Sequence, residues 1–396
     1  MRRGTPGFVG ERLREAREVR GLTIVALSEL VDVVSHQAIS QYEHGRSSPS
    51  AEVVRALGNA LNVPHDFFLR PSRQSTRGTV FYRSMSSATK SARTRAERRV
   101  DWLRDLTEVI DQHVTLPAVN IPVLDLPSDP LLISDDEIED AADRLRSHWG
   151  LGEAPVSNVV LFLESQGVIL ARDHLMAESL DSLSVWPDGD RPYMVVGVDK
   201  GTPVRWRFDA AHELGHLLFH RHVDQTTLAR KELFKRVESQ AHRFAGAFLL
   251  PLGPFSDDLF GASLDAFEAI KPKWKVSMSM MITRARHAGM ISDETRRRLM
   301  INLGRKGYRR NEPYDDTMEA EHPRLLRRSV ELILESGAMT PADLEDSVSL
   351  PISDIETLTG IDRGYLERFA PVTLGQMDRP AGGHQHNVVV LSERRR

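Results

Sequence analysis

The chain has 396 residues, no cysteine, 40% hydrophobic and 27% charged residues, and a formal net charge of −4 from 52 basic and 56 acidic side chains. That length suits two or three soluble domains with cores of their own, and the lack of cysteine excludes disulfides, a thiol nucleophile and thiolate-held zinc or iron–sulfur centres. The charge balance excludes a globally basic coat for nucleic acid, the opening MRRGTPGFVGERLREAREVRG has no apolar signal core, and no run of about 18 apolar residues is available to span a membrane, so a cytoplasmic protein with no membrane partner is expected.

Residues 8–69 predict five short helices joined by tight turns. Phe8, Leu13, Ala16 and Val19 fall at helical spacing in the first, and Gly21 ends it. Thr23 is a good N-cap for TIVALSELVDVV and Ser35 for SHQAISQYEHG, which Gly45 stops. Pro49–Ser50 opens the fourth helix and Pro64 the fifth. Ala26, Ile39 and Val54 are expected in the core. Arg17 and Glu43 are expected to form an ion pair beneath the third helix.

Residues 70–104 then hold ten Lys or Arg against Glu97 and Asp101. This segment is read as a loop or short strand (TVFYRS) and a basic helix running into WLRDLTEVIDQHV. Its charge could meet DNA phosphates, face solvent, or pair with the acidic run DDEIED at 135–140. A Pro-broken connector (PAVNIPVLDLPSDP) leads to a helix with an acidic first turn, SDDEIEDAADRLRSHWGLG. VSNVVLFLESQGVIL reads as a helix running into a strand, and SLSVWPDGDRPYMVVGV as a hairpin. Helices follow at WRFDAAHELGHLLFHRH and VESQAHRFAGAFLLP, with two more in LDAFEAIKPKWKVSMSMMITRARHAGM. Residues 322–370 are expected to be helical and 379–396 to form a loose tail. The domains expected are 8–69, a basic helical linker at 70–139, 140–304, and a C-terminal helical region at 305–396.

The sharpest chemical signal is His212-Glu213-Leu214-Gly215-His216. Positions i and i+4 share a helix face, so His212 and His216 can take two corners of one Zn²⁺. Glu213 beside them can accept a proton from an attacking water, the requirement of metal-assisted peptide hydrolysis. The bland alternative is a pair of incidental surface histidines. The preceding extended segment, YMVVGV, argues against it by offering an edge strand on which a peptide could pair. Three residues compete for the third ligand. His222 has metzincin-like spacing, but Phe219 stands where that pattern needs glycine. His242 is expected on a different helix face. Glu238, on the rim of a face lined by Ala241, Phe244 and Ala245, is favoured.

RWRFDAAHELGHLLFH and VESQAHRFAGAFLLP together resemble the ImmA/IrrE family of bacterial metallopeptidases. The resemblance is carried by Arg205, Phe208, Ala211, His212, Glu213, Gly215 and His216, then by Glu238, Ala241, Phe244, Ala245, Leu249, Leu250 and Pro251. It implies a zinc site of His212, His216 and Glu238 with Glu213 as the catalytic base. His242 stands where the family often has asparagine.

Residues 8–69 resemble the Cro/C1-type, XRE-like helix-turn-helix family through RLREARE, RGLT, SHQAISQYEHG and the P-S-x-E opening at Pro49. That resemblance implies that the third helix enters the major groove of an operator in double-stranded DNA, usually as a homodimer on paired half-sites. Ser35, His36, Gln37, Ala38 and Gln41 would then face base edges, a Gln bonding adenine in bidentate fashion. Ser35 or Ser40 could bind phosphate, as could Arg46.

The expected fold is mainly α with a small β-sheet (α+β): a five-helix DNA-binding domain, a zincin-like peptidase domain and a helical C-terminal region. The expected function is a DNA-binding regulator whose zinc endopeptidase cleaves a protein, either a repressor or the chain itself. The alternative is a repressor or antitoxin-like regulator whose zinc domain is a sensor or scaffold.

Overall fold

The computed structural model describes residues 4–72, 78–82, 89–173, 181–197, 202–228 and 230–369. The expected tail at 379–396, and Arg73, Arg77 and Arg83 of the basic segment, lie outside the described residues. The protein is mainly helical with one small mixed sheet. The first helices are α1 (Gly10–Val19), α2 (Ile24–Val31), α3 (His36–Glu43) and α4 (Ala51–Leu61), followed by a 3₁₀ turn at His65–Leu69. The expected caps form: Thr23, Ser35 and Ser50 accept from the backbone N–H of Ala26, Ala38 and Val53 at 3.0, 3.3 and 3.4 Å. Gly21 and Gly45 leave their helices at φ +67° and +66°, a region open to glycine at little cost. Leu13, Ile39, Val54, Leu57 and Phe67 form the core, whereas Ala26 is only half-buried, because α2 turns that side outward. Arg17 grips Glu43 with two hydrogen bonds of 2.6 and 2.9 Å, tying α1 to the end of α3.

Then come β1 (Phe81–Tyr82), α5 (Lys90–Asp111), α6 (Asp135–His148), α7 (Val159–Ser165), β2 (Ile169–Asp173), β3 (Ser182–Val185) and β4 (Tyr193–Gly197). The basic segment does not spend its described arginines on solvent. On α5, Arg98 bonds Glu18 at 2.9 Å and Glu11 at 3.1 Å, Arg99 is buried between Asp173 and Asp354, and Arg104 bonds Asp190 at 2.9 Å. None of these arginines pairs with DDEIED. Its Asp135 meets Arg236 and Arg243, and its Glu139 meets Arg243 and Arg284. Desolvated cations are held where carboxylates surround them, and those carboxylates come from four different parts of the chain. Trp102 of α5 is fully buried, its ring 5.8 Å from that of Phe67, and its N–H donates to Glu15 at 2.8 Å. One apolar cluster therefore runs from the N-terminal helices through α5 to one face of the sheet and the C-terminal helices.

The sheet order is β1-β3-β4-β2, with β3–β4 an antiparallel hairpin, β2 parallel to β4, and β1 antiparallel to β3. The expectation of an edge strand at YMVVGV is thereby corrected. β4 is interior, because β2 adds to its free side and satisfies the backbone groups a peptide would need.

The remaining α-helices among the described residues are α8 (Pro203–Phe219), α9 (Gln225–Leu228), α10 (Lys231–Leu249), α11 (Leu252–Asp258), α12 (Leu264–Trp274), α13 (Met278–His287), α14 (Asp293–Arg305), α15 (Leu325–Glu335), α16 (Pro341–Val348) and α17 (Ile352–Thr359). A second core joins α6, α7, α8 and α10–α14. Helix α8 packs between β3–β4 and α10. Among the described residues no helix is long and apolar enough to cross a membrane.

Candidate metal centre

Helix α8 approaches α10 very closely at Gly215. A Cβ there would sit 3.1 Å from both Ala241 Cα and a Phe244 ring carbon, so a glycine facing a small residue is what the crossing requires. This contact brings Glu238, three residues before Ala241, opposite the imidazoles of His212 and His216. The two histidine Nε2 atoms are 3.1 Å apart, and the Glu238 carboxylate oxygens lie 3.5 Å from the first and 3.2 Å from the second. With metal–ligand distances of about 2.0–2.2 Å, tetrahedral geometry separates ligand atoms by roughly 3.3 Å. The triangle of donors already has that size, and its two imidazoles and one carboxylate could hold a metal ion. Burial pushes the Glu238 carboxyl up, but hydrogen bonds and charge from His212 and His216 outweigh it and hold it far below the usual carboxylate range.

The other two ligand candidates lie elsewhere. His222 is exposed beyond the end of α8 and accepts from Arg221. His242 is not on a different face as expected: one turn after Glu238, it shares that side of α10, its ring 6.4 Å from that of His212 and 4.8 Å from that of Phe208, yet it is not among the clustered ligands. A cleft of about 1480 Å³ runs from Phe208 and His242 to Arg296 and Arg310, but none of the three clustered residues lines it.

Glu213 is fully buried and points to β3. Its two carboxylate oxygens accept from the hydroxyls of Ser182, at 2.5 Å, and Ser184. Burial raises its pKa, opposed by the charge of His216 and the two serine bonds. Each oxygen keeps a second lone pair, so the serines orient the group without exhausting its capacity to accept a proton.

Two residues behind the metal triangle escaped the sequence reading. Gln240 on α10 donates to the carbonyls of Pro130 (2.7 Å) and Ile133 (3.2 Å), which turns its amide oxygen toward His220. His220 is fully buried, and burial together with the neighbouring His216 pushes its pKa well down, so the ring is neutral. Its Nε2 therefore donates to Gln240, at 3.0 Å, and its Nδ1 accepts from His216 Nδ1, at 3.1 Å. That chain keeps a proton on His216 Nδ1, so when the ring is neutral its Nε2 lone pair faces the triangle, the tautomer a metal ligand needs. The signal was present in the sequence: His212, His216 and His220 repeat every four residues.

In the helix-turn-helix region, Ser35, His36, Gln37 and Gln41 are exposed along α3, with Ala38 and Ser40 half-buried. Arg46 is exposed just beyond the helix. The spacing that buries Ile39 and Glu43 turns these residues to solvent.

Residues 13–68 match the family described as helix-turn-helix, and residues 163–286 match the IrrE N-terminal-like domain. The chain joins a segment similar to the first family to one similar to the second. No curated protein matches it. The helix-turn-helix match contains all of α3, and the IrrE-like match contains the metal triangle, Glu213, His220 and Gln240. The chain thus carries a DNA-binding regulator's reading domain and an IrrE-type peptidase domain.

Proposed function

We propose that this protein is an operator-binding transcriptional regulator whose IrrE-like domain is a zinc endopeptidase acting on a protein, a repressor or the chain itself, in the cytoplasm. The observation that carries the reading is the triangle of His212, His216 and Glu238, sized for one ion, with a buried carboxylate one residue along the same helix. His212, His216 and Glu238 hold the ion, and Glu213 takes the proton of the attacking water. Bound there, zinc supplies the Lewis acidity that polarises a carbonyl and makes water acidic near neutral pH. Ser182 and Ser184 aim Glu213, and the Gln240–His220 relay aims His216.

The ligand set is tested by elemental analysis of the purified chain. One zinc per chain is expected. Gln240→Ala should weaken retention about 10–100-fold, as loss of an outer-shell partner does. Glu238→Ala should weaken it more than that, and full zinc retention in Glu238→Ala would remove Glu238 from the ligand set.

DNA is read by α3, with two copies of the chain on paired half-sites. Gln37 and Gln41 contact base edges, helped by His36 and Ala38, while Ser35, Ser40 and Arg46 contact phosphates. Gln41→Ala is expected to cost about 1–3 kcal/mol and to relax the base preference at one position. Arg46→Ala should instead weaken binding evenly across sequences and lower the salt slope by about 1. Footprinting and salt titration on a selected operator separate the two.

The sensor or scaffold reading has one observation in its favour. Phe81 lies flat against His216 at 4.8 Å, so one side of the metal triangle is covered in this conformation.

A further inference from the structure

Strand β1 forms an edge of the sheet beside the metal helix, yet it comes from outside the segment that matches the IrrE-like domain. It is supplied by the stretch between the DNA-binding helices and α5. It runs antiparallel to β3, with Phe81 opposite Ser184 and Tyr82 opposite Leu183. Ser184, with Ser182, holds Glu213, so β1 lies along the strand that borders the proposed reacting centre.

Side chains of an extended segment alternate, and here the two faces do different things. Val80 and Tyr82 face the cluster that contains α5, where the Tyr82 hydroxyl donates to Glu97. Phe81 faces α8. Its ring is parallel to that of His216 within 6° and lies 6.0 Å from that of His220. It fills a separate apolar pocket made by Val223, Leu228, Leu233 and Val237. The Thr79 hydroxyl donates to the carbonyl of Val223, and Gly78 runs against the backbone of Trp186, where a Cβ would stand 3.0 Å from the carbonyl oxygen.

An extended peptide captured by a sheet edge gains affinity from backbone pairing and specificity from a pocket for an alternate side chain. Residues 78–82 meet both conditions at the β3 edge that borders Glu213. We propose that this segment occupies the peptidase's own substrate groove. The groove then takes an extended peptide antiparallel to β3 with a large apolar side chain in the Phe81 pocket, and the full chain is latent while β1 is seated. Calling the groove a substrate groove rests on the peptidase reading; its occupancy by residues 78–82 rests on the contacts alone.

The test measures binding and cleavage separately. In the full-length, zinc-loaded Glu213→Gln protein nothing is cut, and a fluorescein-labelled peptide of sequence Gly-Thr-Val-Phe-Tyr is titrated by anisotropy. Little binding is expected with Phe81 in place. Adding Phe81→Asp should free the groove and tighten binding by at least about tenfold, the scale of losing one anchor residue. A peptide with Asp at its Phe position should not bind. The double substitution Thr79→Ala with Tyr82→Phe removes both anchoring hydroxyl bonds without touching the pocket and gives an intermediate gain, which covers the case in which Phe81→Asp does not fold. Equal affinity for seated and released forms, or no binding to either released form, overturns the proposal. With Glu213 restored, the released forms should cleave casein faster than the parent. Peptide binding without cleavage by any form would refute the peptidase reading and leave the occupancy standing.

Discussion

Glu213→Gln is expected to abolish cleavage while zinc content and operator binding stay at the level of the parent chain. The substitution keeps shape and removes the proton acceptor. Both serine hydroxyls can still donate to the amide oxygen or accept from the amide nitrogen, so the buried site at Glu213 retains hydrogen-bond partners. Glu213 is not one of the three clustered ligands, so the ion should remain. A positioned general base contributes typically about 10²–10⁴-fold, and the rate should fall by at least that factor. The assay uses a form with β1 released, because a latent parent would hide the difference. Cleavage by Glu213→Gln at the parent's rate would sink the assignment of the base. Unchanged gene regulation with all cleavage lost would favour the sensor reading.

The parts of the molecule that could be read from sequence are those written over short separations. Thr23, Ser35, Ser50, Gly21 and Gly45 act within one turn of where they stand, so helix ends in the reading domain follow from local chemistry. His212, Glu213 and His216 are a single-turn pattern, and Glu238 was reachable because Ala241, Phe244 and Ala245 mark the face that α10 turns toward α8. The fold class, helices around a small sheet, follows from the same periodicities.

What escaped depends on contacts between different elements, from Ile169 with Tyr193 in the sheet to Arg99 with Asp354, 255 positions apart. The edge expectation failed because nothing near YMVVGV says that Ile169–Asp173 will pair along its other side. A loop or short strand was expected at TVFYRS, and Phe81–Tyr82 is a strand, but its partner, a hundred positions away, could not be read locally. The arginines of α5 present one sign of charge locally, while Glu11, Glu18, Asp173 and Asp354, which neutralise them, are scattered over the chain. Charge counted in a window reports the window's own sum and not its environment. The His220–Gln240 relay is an intermediate case: the histidine repeat was in view, but the glutamine's role depends on two carbonyls near Pro130.

Lys271→Met is expected to destabilise the peptidase domain by about 3–5 kcal/mol, the cost of removing one partner from a buried ionic group. Lys271 is fully buried in α12, and its ammonium donates to Glu312 at 2.7 Å and Asp315 at 2.6 Å. Without it, two carboxylates share a desolvated site. Glu312 also accepts from the backbone N–H of Met278 at 2.7 Å, at the start of α13, so the loss is passed to that helix. Helix α13 in turn backs α10: a Cβ on Gly246 would come within 2.7 Å of the Met280 methyl. Because α10 carries Glu238, loosening its support should weaken zinc retention as well as lower the melting temperature, by roughly 2–4 °C per kcal/mol. Adding Glu312→Gln and Asp315→Asn to Lys271→Met removes the stranded charges and should recover much of the lost stability, since replacing a whole buried ionic group costs far less than breaking it. A triple variant no more stable than Lys271→Met would mean that the lysine acts through packing of its stem and not through its charge.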